Sequence, residues 1–108
     1  MDEMVEKLER GVAVKPSMRV QAIENALRDN LDARHVEIID QSVFHQGHAG
    51  AEGGGGHFQV LVVSERFRGL APVAAQRLVY EALGDLMVNE IHALSMRTLT
   101  PETWSQDS

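Results

Sequence analysis

There is no cysteine anywhere in the chain's 108 residues. That excludes a disulfide framework, a thiolate nucleophile and any metal site built from the chain's own sulfur. Aromatic residues are scarce at 5%, so a core has to come from Val, Leu, Ile, Ala and Met. The longest run of large apolar residues is Val60-Leu61-Val62-Val63, far short of the roughly 20 residues a membrane-spanning helix needs. Basic charge is also thin: eight Arg and two Lys face 16 acidic side chains, for a formal net charge of −6. Affinity for nucleic acid comes mainly from Lys and Arg neutralising phosphates. Here the basic residues are scattered among acids, which disfavours nucleic acid as a partner. What remains is ordinary for a globular domain: 44% apolar and 24% charged residues, in a length that suits one core.

Residues 1–16 open acidic and carry neither the apolar stretch of a secretory signal nor the Arg-rich pattern of a mitochondrial presequence. They read as a flexible N-terminal arm ahead of a domain over 17–108, with the cytoplasm as the expected location. Ser17 is a candidate N-cap. Val20, Ile23, Leu27 and Leu31 recur at spacings of three and four and predict a helix over about 18–31. His35 to Ile39 reads as a short strand. The stretch from Asp40 to Gly56 has no periodicity, includes four consecutive glycines, and is long for a loop inside a small domain.

His57 to Val63 is the clearest strand, with the nearly continuous apolar run of a strand well covered by helices. After a connector over 64–70, Pro72 sits at a helix N1 position. Ala75, Leu78, Val79, Ala82, Leu83 and Leu86 give an apolar face for a helix of about 72–88, weakest at Gly84. Ile91 to Arg97 is a third strand, and Pro101 to Trp104 a closing turn that lays the single Trp against the body. The order α-β-β-α-β predicts an α/β (α+β) two-layer fold with a three-stranded mixed sheet and helices on one face. The first two strands should pair antiparallel across the loop. The second and third, joined by a helix, should run parallel.

Chemistry has few candidates. There is no His-Glu-x-x-His, no calcium loop and no Gly-x-Ser-x-Gly elbow, so a non-enzymatic protein is expected. The four glycines match the Gly-x-x-Gly of KH modules only formally, because they lead straight into a strand and lack basic neighbours. A hairpin tip explains them better. Five histidines remain: His35, His45, His48, His57 and His92. His35 reads as a surface residue and His57 as a structural one at the base of the loop. His92 lies in an apolar strand, where alternation pairs it with Leu94 on one face and Ile91 with Ala93 on the other. Spacing alone favours a structural histidine there. Arg66, Arg68 and Arg77 read either as a basic rim or as a solvated surface.

Four groups of residues, taken together, resemble the BolA-like proteins in order and spacing. They are Asp40-x-Ser42-x-x-His45; His57-Phe58-x-Val60-x-Val62-Val63-Ser64-x-x-Phe67-x-Gly69; Arg77-Leu78-Val79-Tyr80; and Ile91-His92-Ala93-Leu94-Ser95. The likeness covers about residues 20–104. It implies a fold similar to the class II KH module and a partnership with monothiol glutaredoxins, either as apo complexes or bridged by a 2Fe–2S cluster. In the bridged form glutaredoxin and glutathione supply sulfur, and the BolA-like chain supplies one ligand from its last strand and one from its long loop. The strand ligand matches His92. The loop ligand matches His45 counted forward from Ser42, or His48 counted back from His57, because the loop is about three residues longer than usual. The intact Ser-x-x-His spacing favours His45. Arg66, Phe67, Gly69 and Arg77 fall where a partner surface is implied.

Two departures accompany the likeness: Ala75-Gln76-Arg77 stands where the family often has Arg-His-Arg, and Gln41 where it has Glu. The chemistry is coherent, since a chain without cysteine can share an iron–sulfur cluster only by offering nitrogen and borrowing sulfur. The resemblance thus implies a regulatory or chaperone module for iron–sulfur trafficking or iron sensing. A KH-like nucleic-acid-binding transcription regulator is the alternative, and an interaction domain whose histidines are all structural is a third reading.

Overall fold

A computed structural model of the chain describes residues 14–42 and 55–107. Pro16, with its fixed φ, opens a 3-10 turn over Pro16–Met18 that leads directly into α1, Arg19–Leu31. Ser17 is inside that turn and caps nothing; the residue before α1 is Met18, which makes no side-chain capping bond. The N-cap expectation for Ser17 fails because proline starts the helical geometry earlier than the apolar pattern does. At its other end α1 stops on Asp32, which adopts the left-handed conformation.

Two strands follow, β1 over His35–Asp40 and β2 over Gly56–Val63, paired antiparallel with His35 opposite Val63 and Asp40 opposite Phe58. A connector with a 3-10 turn at Glu65–Phe67 leads to α2, Pro72–Leu83, with proline in its first turn. Gly84, at φ 51°, then breaks the helix, and the short α3, Asp85–Asn89, carries the chain back to the sheet. The sequence reading over 72–88 is therefore two helices, divided at its weakest residue. β3, Ile91–Leu99, pairs parallel with β2, and the sheet order is β1-β2-β3. The last element is longer than a turn: Pro101–Asp107 forms a helix, α4.

The core lies between the sheet and α1 with α2. Ile23, Leu27 and Leu31 from α1 meet Ala75, Val79, Ala82 and Leu83 from α2 over Phe58, Val60 and Val62 of β2. Burying each large aliphatic side chain fully contributes roughly 1.5–3 kcal/mol. Val36 and Ile38 of β1, and Leu94 and Met96 of β3, pack onto the same cluster. Alternation sends His35, Glu37 and Ile39, and likewise His57, Gln59 and Leu61, to the opposite face. That face is not bare at its lower end, where Trp104 of α4 stacks on His35 at 4.5 Å between ring centroids. So the two main helices share one face as expected, and the closing helix sits on the other.

One buried carboxylate ties three parts of the chain together. Glu90 is 2% exposed; it accepts a hydrogen bond from the Val14 N–H at 2.8 Å and pairs with Arg19 Nε at 2.9 Å. Its backbone carbonyl accepts from the Gly56 N–H at 3.0 Å. The packed body therefore takes in Val14, ahead of the arm boundary placed after residue 16. Among the described residues no helix is long and apolar enough to cross a membrane.

Candidate metal centre

The upper end of the sheet's open face is shaped by one irregularity. Gly56 pairs with Ile91 and His57 pairs with Ala93, so β3 has one residue more than β2 at this point. His92 is that extra residue. A bulge breaks alternation and re-aims the side chain at its crest. Ile91 stays buried, His92 and Ala93 are both exposed, and Leu94 turns to the core. The expected pairing of His92 with Leu94 on one face, and of Ile91 with Ala93 on the other, is corrected by the bulge.

His92 does not stand alone. Its ring lies against that of His57, with centroids 5.1 Å apart and planes at 29°. His57 is half-buried, and its backbone holds the base of the loop on both sides. Its N–H donates to Ser42 Oγ at 3.0 Å, and its carbonyl accepts from the Gln41 N–H at 2.8 Å. Ser42 is itself turned by its N–H bond to Asp40 Oδ1 at 2.9 Å.

On the far side of the loop, Gly55 passes so close to His92 that an added Cβ would sit 2.9 Å from the His92 Cβ and N. An added Cβ on Gly56 would sit 2.7 Å from both the Phe58 ring and Ser42 Oγ. The last two glycines of the run are thus packed against the site rather than forming a hairpin tip. Both described ends of the loop, Ser42 and Gly55, flank the two histidines. His45 and His48 lie outside the described residues.

The other marked residues lie elsewhere. Ser64 follows β2, at the end opposite His57, with its Oγ fully buried. It donates to the Leu31 carbonyl at 2.6 Å and accepts from the Arg66 N–H at 3.0 Å. Phe67 is 4% exposed and belongs to the core. Its reading as a partner contact is therefore corrected: the side chain anchors the connector from inside. Gly69, at φ 76° and with open space around it, makes the turn that this anchor requires.

Arg66 is exposed and reaches the Asn30 carbonyl at 3.3 Å. Arg77 is exposed on α2. Arg68 is spent on Glu65 and Glu102, at 2.9 and 3.0 Å. Its hydrogen bond holds the Glu65 carboxyl below the usual carboxylate range, and the same pairing keeps Arg68 firmly protonated. The basic rim is thus partly neutralised from within. A cleft of about 370 Å³ among the helices, lined by Ala26, Asn30, Leu83, Leu86 and Glu90, lies on the helical side. Among the described residues every buried side-chain nitrogen and oxygen has a hydrogen-bond partner.

Among the described residues the two rings in contact at the sheet's open end, His57 and His92, are both imidazoles. Among the described residues no three His, Asp or Glu side chains converge as a metal site, and the chain has no thiol. A group that needs sulfur fits this end only when another molecule brings the sulfur.

Comparison with known proteins decides the family. The model for "BolA-like protein" matches residues 27–103. The chain belongs to the BolA-like family. The DNA-binding transcriptional regulator BolA of Vibrio cholerae is 44% identical over 84 residues, which covers 78% of this BolA-like chain and 76% of that protein. The crystal structure of a bol-like protein from Babesia bovis superposes with a TM-score of 0.68 at 31% identity, over 90% of this chain and 96% of that one. The BolA domain of SufE1 from Arabidopsis thaliana gives 0.66 at 35% identity, over 77% and 92%. Against the BolA-like protein 1 of four mammals, the match spans 63–66% of the relative's length. These names are those of regulators and BolA-like proteins, in keeping with a non-enzymatic role.

Glu90, Ser64 and the His57–His92 contact were not found by sequence reasoning as a connected site. For Ser64 a signal exists, since it sits in the Val-Ser-x-x-Phe stretch of the resemblance. For Glu90 there is none: its partners are 71 and 76 residues away.

Proposed function

We propose that the chain is a regulatory or chaperone module that pairs with a monothiol glutaredoxin and co-ligates a bridging 2Fe–2S cluster, for iron–sulfur trafficking or iron sensing in the cytoplasm. The observation that carries this reading is the exposed His92, lifted by a bulge at the open end of the sheet, in a chain without sulfur of its own. His92 supplies one nitrogen. His45 supplies the second, with His48 as the alternative. Covalent geometry permits either, since three extended residues reach about 10 Å and six about 20 Å, and the loop is anchored at Ser42 beside His57 and at Gly55 beside His92. Glutaredoxin and glutathione bring the thiolates. When bound, the cluster supplies an iron whose charge and potential respond to imidazole in place of thiolate.

Arg66, Gly69 and Arg77 remain the proposed partner-facing residues. Arg66 and Gly69 follow the end of β2 remote from His57, so they contact a partner away from the cluster ligand. The test is anaerobic reconstitution of the two proteins, followed by visible absorption and circular dichroism. The expected result is a mixed complex whose spectrum and cluster lifetime change in His92→Ala. An unchanged spectrum and lifetime in that variant contradict the ligand assignment.

A second reading, a KH-like nucleic-acid-binding transcription regulator, draws on the name of the Vibrio cholerae relative. The net charge of −6 and the internal pairing of Arg68 oppose it. Duplex DNA affinity measured against salt discriminates. A steep negative slope with specific affinity supports the regulator, and weak, shallow binding is the outcome expected here.

A further inference from the structure

We propose that His57 and His92 together form a site for a single borderline divalent transition metal, such as Zn²⁺, which the chain holds without any partner. Imidazole nitrogen is a favoured ligand for such ions. A metal about 2.1 Å from one nitrogen of each of two imidazoles, at a tetrahedral angle, places the ring centroids about 5 Å apart. The observed separation is 5.1 Å. The two rings already lie at that separation, so what the metal requires is that one nitrogen of each ring turn toward a common point, and His92 is exposed.

The bulge sets how the pair meets. The register pairs His57 with Ala93 and leaves His92 as the unpaired extra residue, exposed, with its ring against that of His57. Support behind the rings is rigid. The His57 backbone is bonded to Ser42 and Gln41, Gly55 packs against the His92 Cβ, and Gly56 is bonded to the carbonyl of Glu90, two residues before His92. Among the described residues no third His, Asp or Glu joins them in a three-ligand group, so this part of the site offers two imidazole nitrogens. The surplus of negative charge on the chain draws cations toward it. One consequence, unlike the site itself, rests on the cluster reading: because His92 is shared, a lone metal here and a cluster in the mixed complex exclude each other.

The experiment is calorimetric titration of the untagged full chain with Zn²⁺, combined with nitrogen-15 spectra of the imidazoles. One equivalent is expected to bind, with the ring nitrogens of both His57 and His92 shifting and those of His35 unmoved. His57→Phe keeps a flat ring against His92 and leaves the backbone bonds of residue 57 intact. It should weaken Zn²⁺ binding at least tenfold, as should His92→Ala, whereas His35→Ala binds as the unaltered chain does. Wild-type affinity in His57→Phe overturns the proposal, as does a bound Zn²⁺ that leaves the His57 ring nitrogens unshifted, or no binding at millimolar Zn²⁺. The spectral readout needs no variant, so a folding defect in His57→Phe does not rescue the claim. Cluster assembly with glutaredoxin does not use the His57 nitrogen, so His57→Phe separates failure of this site from failure of the cluster reading.

Discussion

Single residues explain much of what the recognisable spacings encode. Phe67 and Gly69 form one device: the ring is sunk in the core, and the glycine two residues on takes the positive φ that lets the chain turn away. Gly69→Ala is expected to cost about 1 kcal/mol, because a Cβ in that backbone region is strained even where space is open. An unfolding free energy from urea titration that falls by that amount checks it, and an unchanged value contradicts the strain argument. Gly55 and Gly56 serve a different need, close approach rather than turning. Glu90 was invisible in the sequence because a lone Glu beside a strand looks like any solvated carboxylate. Only the fold brings Arg19 and the Val14 N–H to it. Glu90→Ala leaves a donor unsatisfied and a mostly buried guanidinium without this partner. The expected loss is about 3 kcal/mol or more in chemical unfolding, and a loss below 1 kcal/mol contradicts the strut role.

At the scale of elements, periodicity was a good guide where packing enforces it. The faces of α1 and α2 and the alternation of β2 were legible, because residues at those spacings share one core. It failed where geometry departs from a regular period. Proline moved the start of the first helical segment, Gly84 divided the second helix, and the bulge at His92 reversed the parity of β3. The closing helix α4 could have been found: Thr100 stands before Pro101, and its Oγ1 accepts from the Thr103 N–H at 3.2 Å, the signature of a capped helix start. The bulge had no such signal. That is why spacing alone made His92 a structural residue and only the family likeness marked it as a ligand.

For the whole molecule, the topology does one thing that matters for function. The antiparallel β1–β2 connection and the parallel β2–β3 crossover bring both ends of the loop and the start of β3 to one end of the sheet. The connector with Arg66 and Gly69 is left at the other end. The order of elements, and hence this arrangement, was readable from the sequence; the stacking of His57 on His92 was not, since it depends on a one-residue shift of register. In the proposed function the absence of cysteine sets the division of labour: nitrogen from this chain, sulfur from a partner. Pulsed electron paramagnetic resonance of the reduced mixed complex tests that division most directly. The account predicts strong nitrogen-14 couplings from imidazole coordinated to iron, with one set lost in His92→Ala. A reduced complex that shows no such couplings, or couplings identical in His92→Ala, contradicts it.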